Sequence, residues 1–175
     1  MMDSALKEKI RKIKVLALDV DGVLTDGKIV VDSRGDEIKE FDVQDGLGMV
    51  LFRRHGFKIV IITARDSRPV DFRAKDLKID KVYQGAYPKI EYYKRMLQEL
   101  SVSDEEVCYV GDDLPDLNVL KQVGFGVTVP NAVEEIKRIA DYTTHKSGGN
   151  GAVREVIELI LKTQGKWEDI VAALR

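Results

Sequence analysis

Residues 15–27 read VLALDVDGVLTDG. Val15–Val20 is an apolar run of strand length, broken only by Asp19. A strand that is apolar along its whole length is buried on both faces, as in a parallel sheet covered by helices. Similar runs recur as KIVIIT (Lys58–Thr63), a short Lys81–Gln84, VCYVG (Val107–Gly111), GFGVTV (124–129) and a brief Tyr142–Thr144. Helical spacing is read at 46–55 (closed by Gly56), 67–77, 88–100, 116–123, 134–140 and 152–162. A short amphipathic helix over 5–13 precedes them, and a last helix is expected over 166–174. Alternating strands and helices predict an α/β fold, a Rossmann-like parallel sheet with helices on both faces. The length of 175 residues favours a single domain over 1–175.

One segment departs from that rhythm. Residues 28–43 alternate polar and apolar around Ser33-Arg34-Gly35-Asp36, which signals a β-hairpin, an insertion over about 27–45. Neither this gap nor the one between Thr63 and Lys89 holds a lid domain, which needs roughly 50 residues or more. The expectation is a capless core.

Composition narrows the function classes. The chain is 44% hydrophobic and 33% charged, with a formal net charge of -2. It carries no basic footprint for nucleic acid. No apolar run reaches the 18 or so residues of a membrane span, and MMDSALKEKIRKIK lacks the apolar centre of a secretion signal. A cytoplasmic protein without a membrane partner is expected. The single cysteine, Cys108, lies inside an apolar run and reads as a buried structural thiol. His55 and His145 match no zinc spacing.

Ligands of open parallel sheets sit beyond the carboxyl ends of the strands. Asp19 and Asp21 follow the first strand, Thr63 ends the second, Lys89 follows the third, and Asp112, Asp113 and Asp116 follow the fourth. Acid, hydroxyl, amine and acid therefore meet at one rim. Each alone is a common turn or helix-start residue; together they point to phosphoryl chemistry. Asp19 and Asp112 are hard oxygen ligands suited to magnesium. Aspartate is a competent nucleophile on phosphorus. Asp21 can act as general acid and base. Thr63 offers a hydroxyl, and Lys89 a fixed charge, to the phosphoryl oxygens. Gly22 lets the chain turn so that backbone N–H groups approach them. Asp113 and Asp116 also read as helix-capping acids, and Asp26 as a turn residue.

In these residues the chain resembles the haloacid dehalogenase superfamily, whose four motifs match DVDGVLTDG, Thr63, Lys89 and GDDLPD in order over residues 15–116. More narrowly it resembles the 3-deoxy-D-manno-octulosonate 8-phosphate phosphatase family. FDVQDGLG, ITAR, YQG, YVGDDLPD and GGNGAVREV (Gly148–Val156) carry that likeness. The resemblance implies a magnesium-dependent phosphatase that releases the free sugar acid and phosphate, through an aspartyl-phosphate, in lipopolysaccharide precursor synthesis. It implies Asp19 as nucleophile and metal ligand. Asp21 would be acid/base, with its main-chain carbonyl on the metal, and Asp112 the third ligand. Thr63 and Lys89 would hold the phosphoryl group, and Asp116 or Asp113 would support the metal from behind its ligands. Family members are tetramers whose hairpins assemble and whose neighbouring subunits help close the site.

Parts of this can be argued from the residues themselves. An uncapped rim needs closure from elsewhere, and the hairpin presents Ile29, Val31, Ile38 and Phe41, an apolar surface on a small unit. Oligomerisation through residues 28–43 is expected, and the resemblance implies a homotetramer. A sugar-acid substrate carries a carboxylate, which arginine forks suit, so Arg65, Arg68 and Arg73 are candidates beside solvated helix charges. GGNGAV opens a helix as a dinucleotide loop does, but Arg154 stands where Gly or Ala is required; a flexible glycine turn near the site is expected. Two other functions remain in view. One is a phosphatase for another sugar phosphate, such as a nonulosonate 9-phosphate. The other is a receiver-type phosphoacceptor module, against which the position of the DxD pair after the first strand argues.

Overall fold

In the computed structural model, which describes residues 3–173, the stretch that opens the sequence analysis forms the central strand β1, Val15–Leu18. All four of its side chains are buried. On one side it pairs in parallel with β4, Lys58–Ile62, and through it with β5, Lys81–Tyr83. On the other it pairs with β6, Val107–Val110, followed by β7, Phe125–Thr128, and β8, Tyr142–Thr143. The order β5-β4-β1-β6-β7-β8 is parallel throughout. The chain winds outward from β1 in one direction, then crosses back to start again at β6. The switch point of the sheet therefore lies between β1 and β6, where a crevice opens at the strand ends.

Helices flank this sheet. One group comprises α1 (Ser4–Arg11), α2 (Val43–Arg54), α7 (Ala152–Thr163) and α8 (Trp167–Ala172). In α7, residues Ala152, Val153, Val156, Ile157, Ile160 and Leu161 are buried, a stripe with the helical period. α2 and α1 pack on it. A second group holds α4 (Lys89–Leu100), α5 (Leu117–Leu120) and α6 (Glu134–Lys137). The remaining helix, α3, spans Arg68–Asp76. The expected extension of the last helix to Leu174 lies outside the described residues. Cys108 is fully buried, and burial pushes its thiol up, as a structural cysteine requires.

The hairpin is smaller than its alternation suggests. β2 is Val30–Val31 and β3 is Glu37–Ile38, paired antiparallel. Asp32 replaces further ladder bonds by accepting from the N–H groups of Arg34 and Asp36 at 2.8 and 3.0 Å. Ile29, Val30, Val31 and Ile38 are exposed, but Phe41 turns inward, packs against the core and lies under the Arg73 guanidinium. It therefore does not belong to the exposed apolar face. The region after β6 also differs: Leu114–Asp116 is a 3-10 turn capped by Asp113, because Pro115 and the capping acids tighten the chain before α5.

Two long-range contacts anchor the far end of the chain, one to α2 and one to the loop after β1. Asp45 is 1% exposed, and its Oδ1 accepts the Arg154 N–H at 2.7 Å, so α2 caps the start of α7. That fixes the turn Gly148–Gly151, whose Gly149 N–H donates to the Val23 carbonyl at 3.0 Å. A Cβ on Gly148 would lie 1.9 Å from the Gly22 carbonyl oxygen. The glycine turn is thus wedged, not flexible, because it packs backbone to backbone against the β1 loop.

Burial pushes the Asp45 carboxyl up from its ordinary 3.8 to about 6. Between those values it is protonated when folded and ionised when unfolded. Its contribution to stability is complete below the ordinary value and is lost as pH rises through the folded one. Relative to Asp45→Asn, which cannot titrate, the wild-type chain is expected to lose on the order of 3 kcal/mol between about pH 4 and pH 7. Urea unfolding across that range checks it; parallel stability curves would refute it.

Candidate active site

Leu18 pairs with Ile61 and with Val110, so Asp19, one residue on, and Thr63 and Asp112, two residues on, all emerge at the carboxyl ends of their strands beside the switch point. The Asp19 N–H donates to the Val110 carbonyl at 3.0 Å, carrying the ladder one residue past β1. Gly22 then turns the chain with φ +88°; a Cβ there would lie 2.0 Å from Asp112 Oδ2. Only glycine lets the loop after β1 approach the acid after β6 this closely.

Lys89 opens α4 on the helix face that also buries Tyr93 and Met96, and is itself 2% exposed. Its Nζ lies 2.8 Å from Asp19 Oδ2 and donates to Asp116 Oδ1 at 2.6 Å. Asp116 is fully buried and fully engaged. Its Oδ1 also accepts from the Tyr109 hydroxyl at 2.6 Å, and its Oδ2 accepts the N–H groups of Asp112 and Asp113 at 3.0 and 3.2 Å. It therefore shapes the loop after β6 and has little left for a ligand. Asp113 caps the following turn through Leu114 N–H at 2.7 Å.

The cleft has a volume of about 240 Å³ and is lined by Asp19, Asp21, Thr63, Arg65, Lys89 and Asp112, among others. Thr63 is 2% exposed. Carboxylate oxygens of Asp19, Asp112 and Asp116 lie within 4.8 Å of one another. Burial, and then the neighbouring acids, push the Asp19 and Asp112 carboxyls up, against the pull of Lys89. Among the described residues, Asp112 Oδ1 is buried without a hydrogen-bond partner. Crowded carboxylates, one with an orphaned oxygen, form an all-oxygen donor set that fits a hard divalent cation.

The three candidate arginines separate. Arg65 lines the cleft. Arg68 is exposed and lies over Phe72; Arg73 pairs with Asp76 at 2.9 Å and faces Phe41 and the start of α2. Neither lines the cleft. Asp26 is an exposed turn residue bonded to Lys28. A larger hollow of about 700 Å³ lies at the opposite, amino-terminal end of the strands, but its charges pair off as Lys12–Glu105 and Lys14–Glu106.

Four residues not singled out in the sequence complete the site. Asn131 donates to the Gly22 carbonyl at 2.8 Å and accepts the Gly148 N–H at 2.9 Å, joining both loops. Tyr109 buttresses Asp116. From the hairpin, Glu37 accepts from Arg65 at 2.8 Å, and Lys39 donates to Asp21. The signal for this last pair was present: Glu37 and Lys39 alternate with Ile38 and so share the opposite face.

Comparison with known proteins agrees with this geometry. The family model of haloacid dehalogenase-like hydrolases matches residues 79–157. The chain is 42% identical over 161 residues to the 3-deoxy-D-manno-octulosonate 8-phosphate phosphatase of Salmonella typhi, covering 92% of this chain and 86% of that protein. The crystal structure of the Moraxella catarrhalis phosphatase of that name, in complex with magnesium, phosphate and KDO, is 43% identical. It superposes with a TM-score of 0.96 over 99% of this chain and 100% of its own. The cobalt-bound Haemophilus influenzae phosphatase is 35% identical, with a TM-score of 0.87 over 90% of this chain and 92% of its own. With an acidic switch-point cleft on this sheet and this similarity along its length, the chain belongs to the 3-deoxy-D-manno-octulosonate 8-phosphate phosphatase family of haloacid dehalogenase-like hydrolases.

Proposed function

We propose that this protein is a magnesium-dependent phosphatase that converts 3-deoxy-D-manno-octulosonate 8-phosphate to the free sugar acid and phosphate, in the cytoplasm, as a step of lipopolysaccharide precursor synthesis. The observation that carries the reading is the Asp19 carboxylate, held by Lys89 beside the orphaned Asp112 oxygen in a chain whose relatives bear that name. Those relatives do not favour another sugar phosphate or a receiver-type acceptor.

Asp19, Asp112 and the main-chain carbonyl of Asp21 would hold magnesium. Bound there, the ion offsets the repulsion between an anionic nucleophile and a phosphate and polarises the phosphoryl oxygens. Lys89 and Thr63 orient the phosphoryl group. An Asp19 oxygen attacks phosphorus. The bond from phosphorus to the sugar oxygen breaks, and that oxygen keeps the electron pair and takes a proton from Asp21. Water then attacks the aspartyl-phosphate and gives its proton to Asp21. The bond from phosphorus to Asp19 breaks, which restores the carboxylate. Asp116 holds Lys89 and the loop after β6, with Asp113 capping that loop. Arg65, which lines the cleft, would meet the substrate carboxylate; Arg68 and Arg73 do not line the cleft.

We also propose assembly as a homotetramer. Ile29, Val31 and Ile38 are 58%, 59% and 49% exposed on a two-stranded hairpin, with Val43 and Phe72 exposed as well. By the strand register Val30 and Ile38 share one face while Ile29 and Val31 alternate to the other; a hairpin of this size is marginal alone, and apolar side chains exposed on both its faces mark an interaction surface.

Phosphate release from the octulosonate phosphate is expected to depend on magnesium, to stop with EDTA, and to fall by at least about 10³-fold in Asp19→Asn. Release unaffected by either change would overturn the mechanism. For assembly, light scattering at micromolar concentration should give four times the 19.7 kDa chain mass. Ile38→Glu should lower it; a monomeric wild-type protein would sink the tetramer.

A further inference from the structure

The Lys39 side chain is 1% exposed, although it sits on a surface hairpin. A buried ammonium must be paired, and its partners are Asp21 Oδ1 and, at 3.2 Å, Glu37. Glu37 is already served by Arg65 at 2.8 Å and by the Ser67 hydroxyl. Asp21 is in the opposite position. The Asp19 carboxylate receives the Val20 N–H at 2.7 Å, and Asp116 receives two N–H groups. Among the described residues, the Asp21 carboxylate receives no backbone donor; Lys39 is its one hydrogen-bond donor, and Arg65 Nε stands 3.5 Å away. The loop after β1 aims the nucleophile, but it does not aim Asp21.

We infer that Lys39 is a positioning residue for the reaction: it tethers one oxygen of Asp21 and leaves the other to face the leaving group in the cleft. The inference rests on the acid/base reading of Asp21 given above. Lys39 touches neither substrate nor metal; it acts through the orientation of a carboxyl group two residues past the nucleophile. General acid–base groups contribute about 10² to 10⁴-fold, and they do so only within hydrogen-bond reach of the proton they move.

The test is the dependence on leaving group. An alkyl phosphate needs its departing oxygen protonated, whereas 4-nitrophenyl phosphate leaves as a stable phenolate. A positioning role predicts that Lys39→Met lowers kcat/KM for the octulosonate phosphate and other alkyl esters by about 30-fold or more, and for 4-nitrophenyl phosphate by less than about threefold. Lys39→Arg should restore most of the loss. Asp21→Asn, measured beside it, should show the same selectivity with a larger loss. Equal losses on both ester classes, or none on either, would overturn the role of Lys39 while Asp21→Asn stayed selective. An unselective Asp21→Asn would instead remove the acid/base reading itself, and the inference with it. Circular dichroism and light scattering establish that the variants are folded and assembled. Should Lys39→Met fail there, Lys39→Gln carries the same comparison.

Discussion

The buried ammonium of Lys89 is the constraint around which the site is built. Asp19 and Asp116 are both nearly inaccessible to water, and each stands within hydrogen-bond distance of it. Ionised carboxylates taken out of water cost several kcal/mol each unless paired. One cation placed between two acids cannot neutralise both, let alone Asp112 beside them. The arrangement leaves a deficit of positive charge facing the cleft, and the raised pKa values of Asp19 and Asp112 express it. A structural core would avoid such a deficit; a site for a divalent cation and a phosphate monoester requires it. The role of Lys89 also explains why α4 begins where it does, since the first residue of the helix must reach past β1.

Around that centre the backbone is packed too tightly for side chains. Gly22 lies against Asp112, Gly148 lies against Gly22, and Asn131 bonds to both loops. The β1 loop is thereby held by strands on either side and by the start of α7 behind it. Orientation of Asp19, the proposed nucleophile, is prepared during folding and does not wait for the substrate.

Much of this was legible in the sequence because the sheet speaks through local signals. Val15–Leu18, Lys58–Ile62 and Val107–Val110 are continuous apolar runs, and the acids, Thr63 and Lys89 stand immediately after strands or at a helix start. What escaped notice depends on distance along the chain. Asp45 meets Arg154, and Asn131 meets Gly22, across 109 residues each, and no spacing rule connects them. Phe41 turned inward because a cation and the core were available to cover it. Lys39 escaped for another reason. Alternation on a surface hairpin puts charged residues on a face apart from Ile38, and nothing local shows that one of them, Lys39, is buried against Asp21.

That hairpin is two residues deep on each strand, whereas β1 lies at the middle of a six-stranded sheet. Local opening free energies in a protein run from near zero for such elements to the global value for central strands. The two halves of the proposed chemistry are therefore moored to opposite ends of the stability range. Asp19 stays aligned until the whole domain unfolds. Asp21, held from the hairpin, can lose its alignment in an opening so local that circular dichroism would barely register it. Mild denaturant would then erode proton transfer while the nucleophile still stood in place, and inactivation would run ahead of unfolding.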